Sequence, residues 1–333
     1  MIRYLLLLIV TSIIGISIGS IDIPLDIVLR ILIAKIIPWL DTSDITETQQ
    51  IIIWSIRVPR VLVAALVGAS LAIAGVQMQG LFQNPLASPG IVGTSSGGAL
   101  GAVIALASGL ASYSMFYIPI FASGGALLAL FTVYMLATKN GNTPVATLLL
   151  AGIALNALIA AMTSLIITVV WVEHDIAREI VFWLMGGLDN RTWSHVWITL
   201  PGILTGIILA MVYTRELDIL LIGQETAYSL GVEVERVQRI ILLSTALLTG
   251  TAVAVSGVVG FVGLIIPHIV RLFVGPKHRY LIPLSAIIGA IFLIIVDLLA
   301  RTINSPTEIR LGILTAVFGA PFFLYLLRKH SQL

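Results

Sequence analysis

The sequence predicts an all-α polytopic membrane protein with ten transmembrane helices. Of its 333 residues, 59% are hydrophobic and only 10% are charged, and the mean hydropathy is +1.09. A soluble domain carries roughly 25% charged residues, so this composition favours a chain that lies mostly in lipid. The apolar residues also form runs about as long as a membrane-crossing helix, which is the second observation behind the prediction.

The ten predicted spans follow from the thickness of the bilayer, whose core of about 30 Å needs about 20 apolar residues in a helix. The segments that fit are 3–20, 60–82, 91–109, 115–137, 144–171, 195–213, 239–257, 259–275, 280–300 and 309–327. Residues 240–275 would form one helix about 54 Å long. We therefore divide them near Ser256–Gly260 into two crossings, the second of them short. No small-residue cleavage site follows the first segment, which predicts a retained helix rather than a signal peptide.

Two further segments are amphipathic and predict helices at the outer surface of the membrane. Residues 27–40 are too short to cross and contain an arginine and a lysine. Residues 172–187 place acids and an arginine opposite Trp, Phe and Met. Both patterns are typical of interfacial helices, which we place within outer segments at about 22–56 and 172–192.

The basic residues predict the orientation. With both termini in the cytoplasm, ten of the 18 Lys and Arg residues lie inside, a weak positive-inside bias. The same topology leaves Arg57, Arg60 and Arg301 outside, which requires another reason. Asp297 is the one acid within a predicted span, and we interpret it as an interface-facing carboxylate paired with Arg301. We interpret His268, in the short eighth span, as a packing residue rather than a metal ligand.

Several classes of function lack the residues that they need. There is no cysteine and no grouping of metal ligands or of catalytic side chains. No G-x-x-x-x-G-K-[ST] motif is present, so the chain is not expected to hydrolyse nucleotide. The net charge of +2 without a basic run gives no reason to expect nucleic acid. A secondary transporter remains the alternative, but it would usually carry an ionisable residue deep in a span.

The longest polar inner segment, residues 214–239, predicts a docking surface for a partner. Its pattern indicates short amphipathic helices around Gly223, the last of which ends at Gly231. The segment would expose Leu220, Leu221, Ala227 and Leu230 to the cytoplasm. Exposed apolar side chains on a short helix favour docking, although an ordinary solvated loop is the alternative. A purely structural scaffold would not need this element.

Several motifs together identify a resemblance to a known family. They are RVPR (57–60), LFQNPLASPGIVGTSSGGALG (81–101), GQETAYSLGV (223–232), GFVGLIIPHIVRLFVGPKHR (260–279) and EIRLGILTAVFGAPFFLYLL (308–327). In this order, they resemble the FecCD/BtuC-type permeases. These are the membrane subunits of type II ABC importers for ferric siderophores, haem and cobalamin. The resemblance covers essentially the whole chain and implies a single transmembrane permease domain, 1–333, with the BtuC-like fold.

The resemblance also implies a set of partners. A second permease, identical or paralogous, would complete the pathway, and two ATPase subunits would bind ATP and Mg²⁺, so that this chain itself binds no cofactor. A periplasmic or lipoprotein substrate-binding protein would dock from outside. The expected location is the bacterial cytoplasmic (inner) membrane. The expected cargo is a ferric siderophore, with haem and cobalamin as alternatives.

The resemblance assigns roles to two groups of residues at the two surfaces. The coupling element that contacts the ATPase would use Gly223, Glu225, Ala227, Leu230 and Gly231. The arginines Arg57, Arg60 and Arg301 would pair with glutamates of the binding protein. Retention of these three arginines outside is intelligible if an acidic partner pairs with them, whereas simple snorkelling at the interface is the alternative.

The turn at 81–101 supplies the predicted pathway residues. Asn84 and Leu86 match positions that narrow the cytoplasmic mouth in the cobalamin importer, and we expect them to act as gate residues. Gly93, Gly97 and Gly101 recur every four residues and predict a smooth ridge, which suits tight helix packing as well as a wall beside the pathway.

A weak internal echo suggests two related halves. GASLAIAG (68–75) resembles GTAVAVSG (250–257), and the two helices run in opposite directions under the predicted topology. This is the pattern of an inverted repeat.

Overall fold

The regular secondary structure of the residues that the structure describes is helical. The computed structural model describes residues 1–19, 21, 23–37, 39–41, 43–139, 143–170 and 174–330. The helices are α1 (Ile2–Ser17), α2 (Leu25–Ala34), α3 (Glu47–Leu81), α4 (Thr94–Ala107), α5 (Tyr117–Ala137), α6 (Val145–Val170), α7 (His174–Leu184), α8 (Trp193–Val212), α9 (Thr214–Leu220), α10 (Gln224–Ser229), α11 (Val234–Ser256), α12 (Val262–Val274), α13 (His278–Thr302) and α14 (Leu311–His330). Outside the described residues lie position 20 of the first predicted span, position 171 of the fifth, and positions 22, 38, 42, 172 and 173 of the outer segments.

Each predicted span contains one apolar helix. Six of them, namely α3, α5, α6, α8, α11 and α13, are long and apolar enough to cross a membrane. Four more apolar stretches of the described residues are shorter, namely α1, α4, α12 and Leu311–Tyr325 of α14. The predicted division near Ser256–Gly260 is confirmed, because α11 ends at Ser256 and α12 begins at Val262. The count of ten crossings stays a prediction.

Helix α3 begins well before the span that the sequence predicts. We expected residues 22–56 to lie outside and the span to start at 60, but one continuous helix of 35 residues runs from Glu47 to Leu81. The reason lies in a capping box, in which Thr46 Oγ1 accepts from the Gln49 N–H at 3.3 Å. A wider π-helical turn occupies Ile52–Arg57, just before Pro59, which has no N–H to donate to the preceding turn. Helices α2 and α7 confirm the two predicted amphipathic helices.

The core of the bundle forms around α3, α11 and α13, whose most apolar windows are 78%, 72% and 61% buried. Glycines let α3 approach its neighbours closely, because helices in lipid gain most from contact between small residues. A Cβ built on Gly68 would lie 2.2 Å from the carbonyl oxygen of Gly289 in α13. One built on Gly75 would lie 1.8 Å from the carbonyl oxygen of Gly263 in α12. Helix α3 is therefore in backbone contact with two other helices.

The bundle has two distinct polar ends. One end holds Arg60, Asp297 and Arg301, and we call it the arginine end. The other holds α9 and α10, and we call it the loop end. Helices α3 and α13 reach both, because Gln83 Nε2, just beyond α3, donates to the Leu220 carbonyl at 2.6 Å. The topology predicted from charge places the arginine end outside and the loop end in the cytoplasm.

Candidate functional site

Two arginines and two acids form a network at the arginine end. Arg60 Nη2 lies 2.9 Å from Asp297 Oδ1 and 2.7 Å from Glu308 Oε2. Arg301 Nε lies 3.1 Å from Asp297 Oδ2. The predicted pairing of Asp297 with Arg301 is confirmed, but its predicted position facing the interface is wrong, since Asp297 is 1% exposed. It is buried because two guanidinium groups from different helices converge on its carboxylate.

The third predicted arginine fixes the end of α1. Arg57 is 6% exposed, and its Nη1 donates to the carbonyls of Ile16 and Ser17 at 3.0 and 2.6 Å. Arg301 Nη2 donates to the Gly15 carbonyl at 2.9 Å. These contacts satisfy carbonyls of the last turn of α1, which have no partner within the helix. The docking role predicted for the three arginines stays a prediction, and within the chain they tie α1, α3 and α13 together.

The loop end contains the short helices that the sequence predicts. Helix α9 is followed by Gly223, and α10 is followed by Gly231, whose φ of +78° ends the helix in a left-handed conformation that glycine adopts without strain. Glu225 lies exposed in the first turn of α10, where its charge suits the helix dipole.

Two of the four leucine and alanine side chains predicted to be exposed are buried. Leu220 and Ala227 are 1% and 0% exposed, because α9 and α10 each turn one face onto the cluster formed with α11. The expected exposure of Leu220 and Ala227 is therefore wrong, and the coupling role assigned to Ala227 stays a prediction. The side chains that do form an apolar surface are Leu221, Ile222, Tyr228 and Leu230, which are 37%, 68%, 47% and 61% exposed. We call these four residues the docking patch.

The docking patch is held in place by hydrogen bonds to the rest of the loop. The Tyr228 hydroxyl donates to the carboxylate of Glu235 in α11, and this bond raises the pKa of Tyr228 to about 12. The Val232 N–H donates to the Ala227 carbonyl at 3.0 Å. The short helix α10 is thus ordered by contacts on both sides rather than being a free linker.

His278 and Asp218 connect this loop to the membrane helices, and sequence reasoning missed both. Asp218 Oδ1 in α9 accepts from the His278 backbone N–H at 2.8 Å and lies 2.6 Å from His278 Nδ1. His278 is 1% exposed and its ring fills the space beside Gly80, where a Cβ would lie 2.5 Å from Nε2. The two residues are 60 positions apart in the sequence, so no local sequence pattern predicts their contact. They join α9 to the first turn of α13.

The Asp218–His278 pair makes the stability of the folded protein depend on pH. Partial burial raises the pKa of Asp218, but the hydrogen bonds from the His278 ring and backbone outweigh it and hold this pKa below its ordinary value. Because its pKa is lowered in the folded state, the Asp218 carboxylate contributes its full stabilisation above the ordinary carboxyl pKa of about 3.9. This stabilisation is lost as the pH falls through the lowered pKa of the folded state.

We expect Asp218→Asn to destabilise the purified protein at pH 7 by about 1 kcal/mol, after allowance for the partial exposure of Asp218. The difference from wild type should shrink below about pH 4. Thermal unfolding in detergent at several pH values measures it. Glu233→Gln is the matched control, because Glu233 at the same end forms an exposed pair with Arg236 at 3.5 Å. Equal unfolding temperatures for the two variants at pH 7 would contradict the assignment.

The predicted gate residues lie in the turn after α3. Asn84 Oδ1 accepts from the Leu86 N–H at 2.9 Å, which closes a small turn. Asn84 is exposed and Leu86 is half-buried. The position at the loop end agrees with the prediction, and the gating role stays a prediction.

The glycine ridge is only partly continuous. Gly93 has a φ of +85° and precedes α4 rather than lying in it, so the expected ridge of three is wrong at its first member. Gly97 and Gly101 press against α5, where a Cβ would lie 2.4 Å from the Gly125 carbonyl oxygen and 2.0 Å from that of Phe121. These contacts support tight helix packing as the role of Gly97 and Gly101.

Comparison with known proteins covers nearly the whole chain. Residues 7–329 match the model of the FecCD transport family. The cobalamin import system permease protein BtuC of Halobacterium salinarum is 48% identical over 290 residues, which cover 86% of this chain and 76% of that protein. The Fe(3+)-citrate import system permease protein YfmD of Bacillus subtilis is 41% identical over 285 residues, with 86% and 84% covered.

A solved structure supports the same likeness in three dimensions. It is described as an inward-facing conformation of a metal-chelate type ABC transporter. Its chain aligns with a TM-score of 0.84 and 32% identity, and the alignment covers 98% of both chains. The all-helical arrangement is therefore similar to that of a permease from end to end.

Proposed function

Because this chain belongs to the FecCD transport family, we propose that it forms one half of the membrane pathway of an ATP-binding-cassette importer for a metal chelate. The observation that carries the proposal is the structure of the loop at residues 214–239. Its short helices are ordered by internal hydrogen bonds and still leave four apolar side chains uncovered at one end of the bundle. The chain acts as a transport subunit, and the ATP and Mg²⁺ that drive it bind to a partner.

The docking patch is the proposed contact with the ATPase subunit. Leu221, Ile222, Tyr228 and Leu230 surround α10, and Glu225 adds a charge at its start. A contact made here reaches the bundle directly, since Asp218 and Gln83 bond α9 to the ends of α13 and α3. Movement of the loop upon ATP binding would therefore act on both helices.

The arginine end is the proposed contact with a substrate-binding protein. A carboxylate of that protein would compete with Glu308, which is 35% exposed, for the outer side of the Arg60 guanidinium. The buried Asp297 would stay bonded to Arg60 and Arg301 throughout. Arg57, Arg60 and Arg301 are themselves only 6%, 8% and 7% exposed, so this contact requires Glu308 to move aside, and it would reach Arg60 first.

The exposed face of α6 is compatible with a second permease subunit. The most apolar window of this helix is only 6% buried. Its exposed side chains are large and apolar, and they include Leu150, Ile153, Leu158, Met162 and Leu165. Lipid and a second permease both suit such a surface. The proposed complex has two permeases, identical or paralogous, in the cytoplasmic (inner) membrane of a bacterium, with both termini of each in the cytoplasm.

The cargo proposed from the sequence is a ferric siderophore, and cobalamin is the second candidate. The relative that imports Fe(3+)-citrate supports an iron chelate. The 48% identity to a cobalamin import permease favours a corrinoid instead. Haem remains a further alternative from the family resemblance. Uptake of labelled ferric citrate, a ferric hydroxamate, hemin and cyanocobalamin by cells that carry this importer alone distinguishes these cargoes.

We expect Leu230→Asp to lower ATP-dependent uptake at least tenfold and to reduce the amount of ATPase that copurifies with the permease. A carboxylate placed in an apolar contact loses its hydration without gaining a partner. Transport in proteoliposomes and pull-down of the complex measure the two effects.

Tyr280→Asp is the matched control for this test. Tyr280 is 52% exposed and is not one of the four residues of the docking patch; it lies in the first turn of α13, where an acid is tolerated. This control should transport and copurify as wild type does. Full uptake by Leu230→Asp, or uptake that persists without any ATPase, would overturn the proposal and favour a secondary transporter.

A further inference from the structure

A polar cavity of about 540 Å³ opens at the arginine end, apart from the network of Arg60 and Asp297. It lies between α7, the start of α8, the end of α11 and the segment before α14. Its volume falls within the range of about 300–1,000 Å³ that is usual for small-molecule sites. Two aromatic and several charged side chains line it, and they include Phe182, Trp183, Asp189, Arg191 and Arg310.

The base of the cavity is built from interlocked backbone. The Gly187 N–H donates to the Ser256 carbonyl at 2.8 Å, and the Leu311 N–H donates to the Gly186 carbonyl at 3.0 Å. Side chains would not fit here, since a Cβ on Gly257 would lie 2.2 Å from the Trp183 carbonyl oxygen. The segment that carries the charged residues is thus held against the ends of two helices, which makes the site preformed.

Arg191 is a half-buried cation of this cavity that has no ion pair with any carboxylate that the structure describes. Its Nε donates to the Val255 carbonyl at 2.5 Å, which fixes the guanidinium group. The adjacent acid, Asp189, bonds instead to Arg310 Nη1 at 2.8 Å. Within the described ranges no acid forms an ion pair with Arg191, and its two terminal nitrogens have no hydrogen-bond partner. Burial lowers the pKa of Arg191; the charge of Asp189 opposes this in part, whereas Arg60 and Arg310 lower the pKa further, so an additional negative charge would stabilise the group.

Phe182 forms another part of the cavity wall, and two arginines stack on its ring. The Arg310 guanidinium lies 4.6 Å from the centre of the Phe182 ring, and that of Arg178 lies 5.3 Å from it. Such stacking holds both arginines at the edge of the cavity. The two other acids that line it, Asp175 and Glu179, are exposed on α7 at the rim. The cavity therefore combines the Arg191 guanidinium with an aromatic wall, while one of its three acids is already paired with Arg310.

We propose that this cavity is a subsite for the anionic group of the cargo, a carboxylate or a phosphate, with Arg191 as its principal ligand. The terminal nitrogens of an arginine bind two oxygens of one anion side by side. The ring of Phe182 packs against the organic part of the ligand. The inference rests on the proposed function, because it gives an imported chelate a first position on the permease itself.

The test uses the purified full chain in nanodiscs and two probes, trisodium citrate and inorganic phosphate, titrated by calorimetry at fixed chloride concentration. We expect saturable binding of at least one probe, and the tighter of the two identifies the anionic group. Arg191→Gln should weaken this binding at least tenfold, and Arg191→Lys should weaken it less because the charge remains. Arg30→Gln is the control, since this exposed arginine pairs with Asp44 at 2.6 Å outside the cavity.

Two results would overturn the subsite: no saturable binding by wild type, or equal binding by wild type and Arg191→Gln. Thermal unfolding of both Arg191 variants establishes that they fold, and Arg191→Lys carries the comparison if Arg191→Gln does not. Copurification of the ATPase is measured in parallel. Its loss from wild type would count against the proposed function, whereas a failure of anion binding alone counts against the subsite.

Discussion

Asp297→Ala is expected to abolish stable folding or to lower the free energy of unfolding by about 3–5 kcal/mol, the usual cost of removing one partner of a buried ion pair. The variant leaves Arg60 and Arg301 buried with Glu308 as their remaining acid, at a depth where Asp297 itself is 1% exposed. Yield of monodisperse protein in detergent and the unfolding temperature measure the effect. Uptake should fall with the amount of folded protein.

Asp44→Ala is the matched control for this prediction. It also removes an aspartate from an arginine, here Arg30 at 2.6 Å, but both side chains of that pair are exposed at 36% and 61%. Exposed ion pairs contribute little to stability. If Asp297→Ala and Asp44→Ala unfold at the same temperature, the network at the arginine end does not hold the helices together.

Gly75→Ala is expected to reduce the yield of folded protein at least tenfold, although it adds a single methyl group. The new Cβ would lie 1.8 Å from the carbonyl oxygen and 2.6 Å from the Cα of Gly263. Both are backbone atoms, so no rotamer change relieves the overlap and α3 must separate from α12. Because the bilayer supplies little hydrophobic force to restore the contact, its loss is not compensated.

The control for this substitution is Gly124→Ala in α5. A Cβ at Gly124 meets no atom within 4 Å, so the same chemical change adds no overlap. Size-exclusion profiles of the two variants from equal culture volumes provide the comparison. A normal amount of folded protein and normal uptake for Gly75→Ala would show that α3 and α12 can separate at little cost.

The positions of the apolar helices could be predicted because each depends on residues that are close in the sequence. The break between α11 and α12 and the helix stop at Gly231 both follow from local glycine and from the length of a span. The start of α3 at Glu47 was missed because polar residues and a proline precede its apolar run. The capping box at Thr46 was a visible signal that the span count overlooked.

The partners of buried polar groups could not be predicted in the same way. Arg60 and Asp297 are 237 positions apart, and their pairing depends on how α3 packs on α13. Leu220 and Ala227 fit either face of a short helix, and contact with α11 decided which face is buried. The inverted repeat suggested by the similarity of residues 68–75 to residues 250–257 stays a prediction, because short matches of small residues arise easily in membrane helices.

Helix α3 connects the arginine end of the bundle with the loop end. Its 35 residues form a rod of about 52 Å. Arg60 bonds to Asp297 and Glu308 partway along the rod, and Gln83 bonds to Leu220 just beyond its end. Between Arg60 and Gln83 the rod cannot bend without breaking the close backbone contacts at Gly68 and Gly75. We therefore expect a displacement at the loop end to reach the arginine end as a tilt of this segment, with the wider turn at Ile52–Arg57 just beyond it.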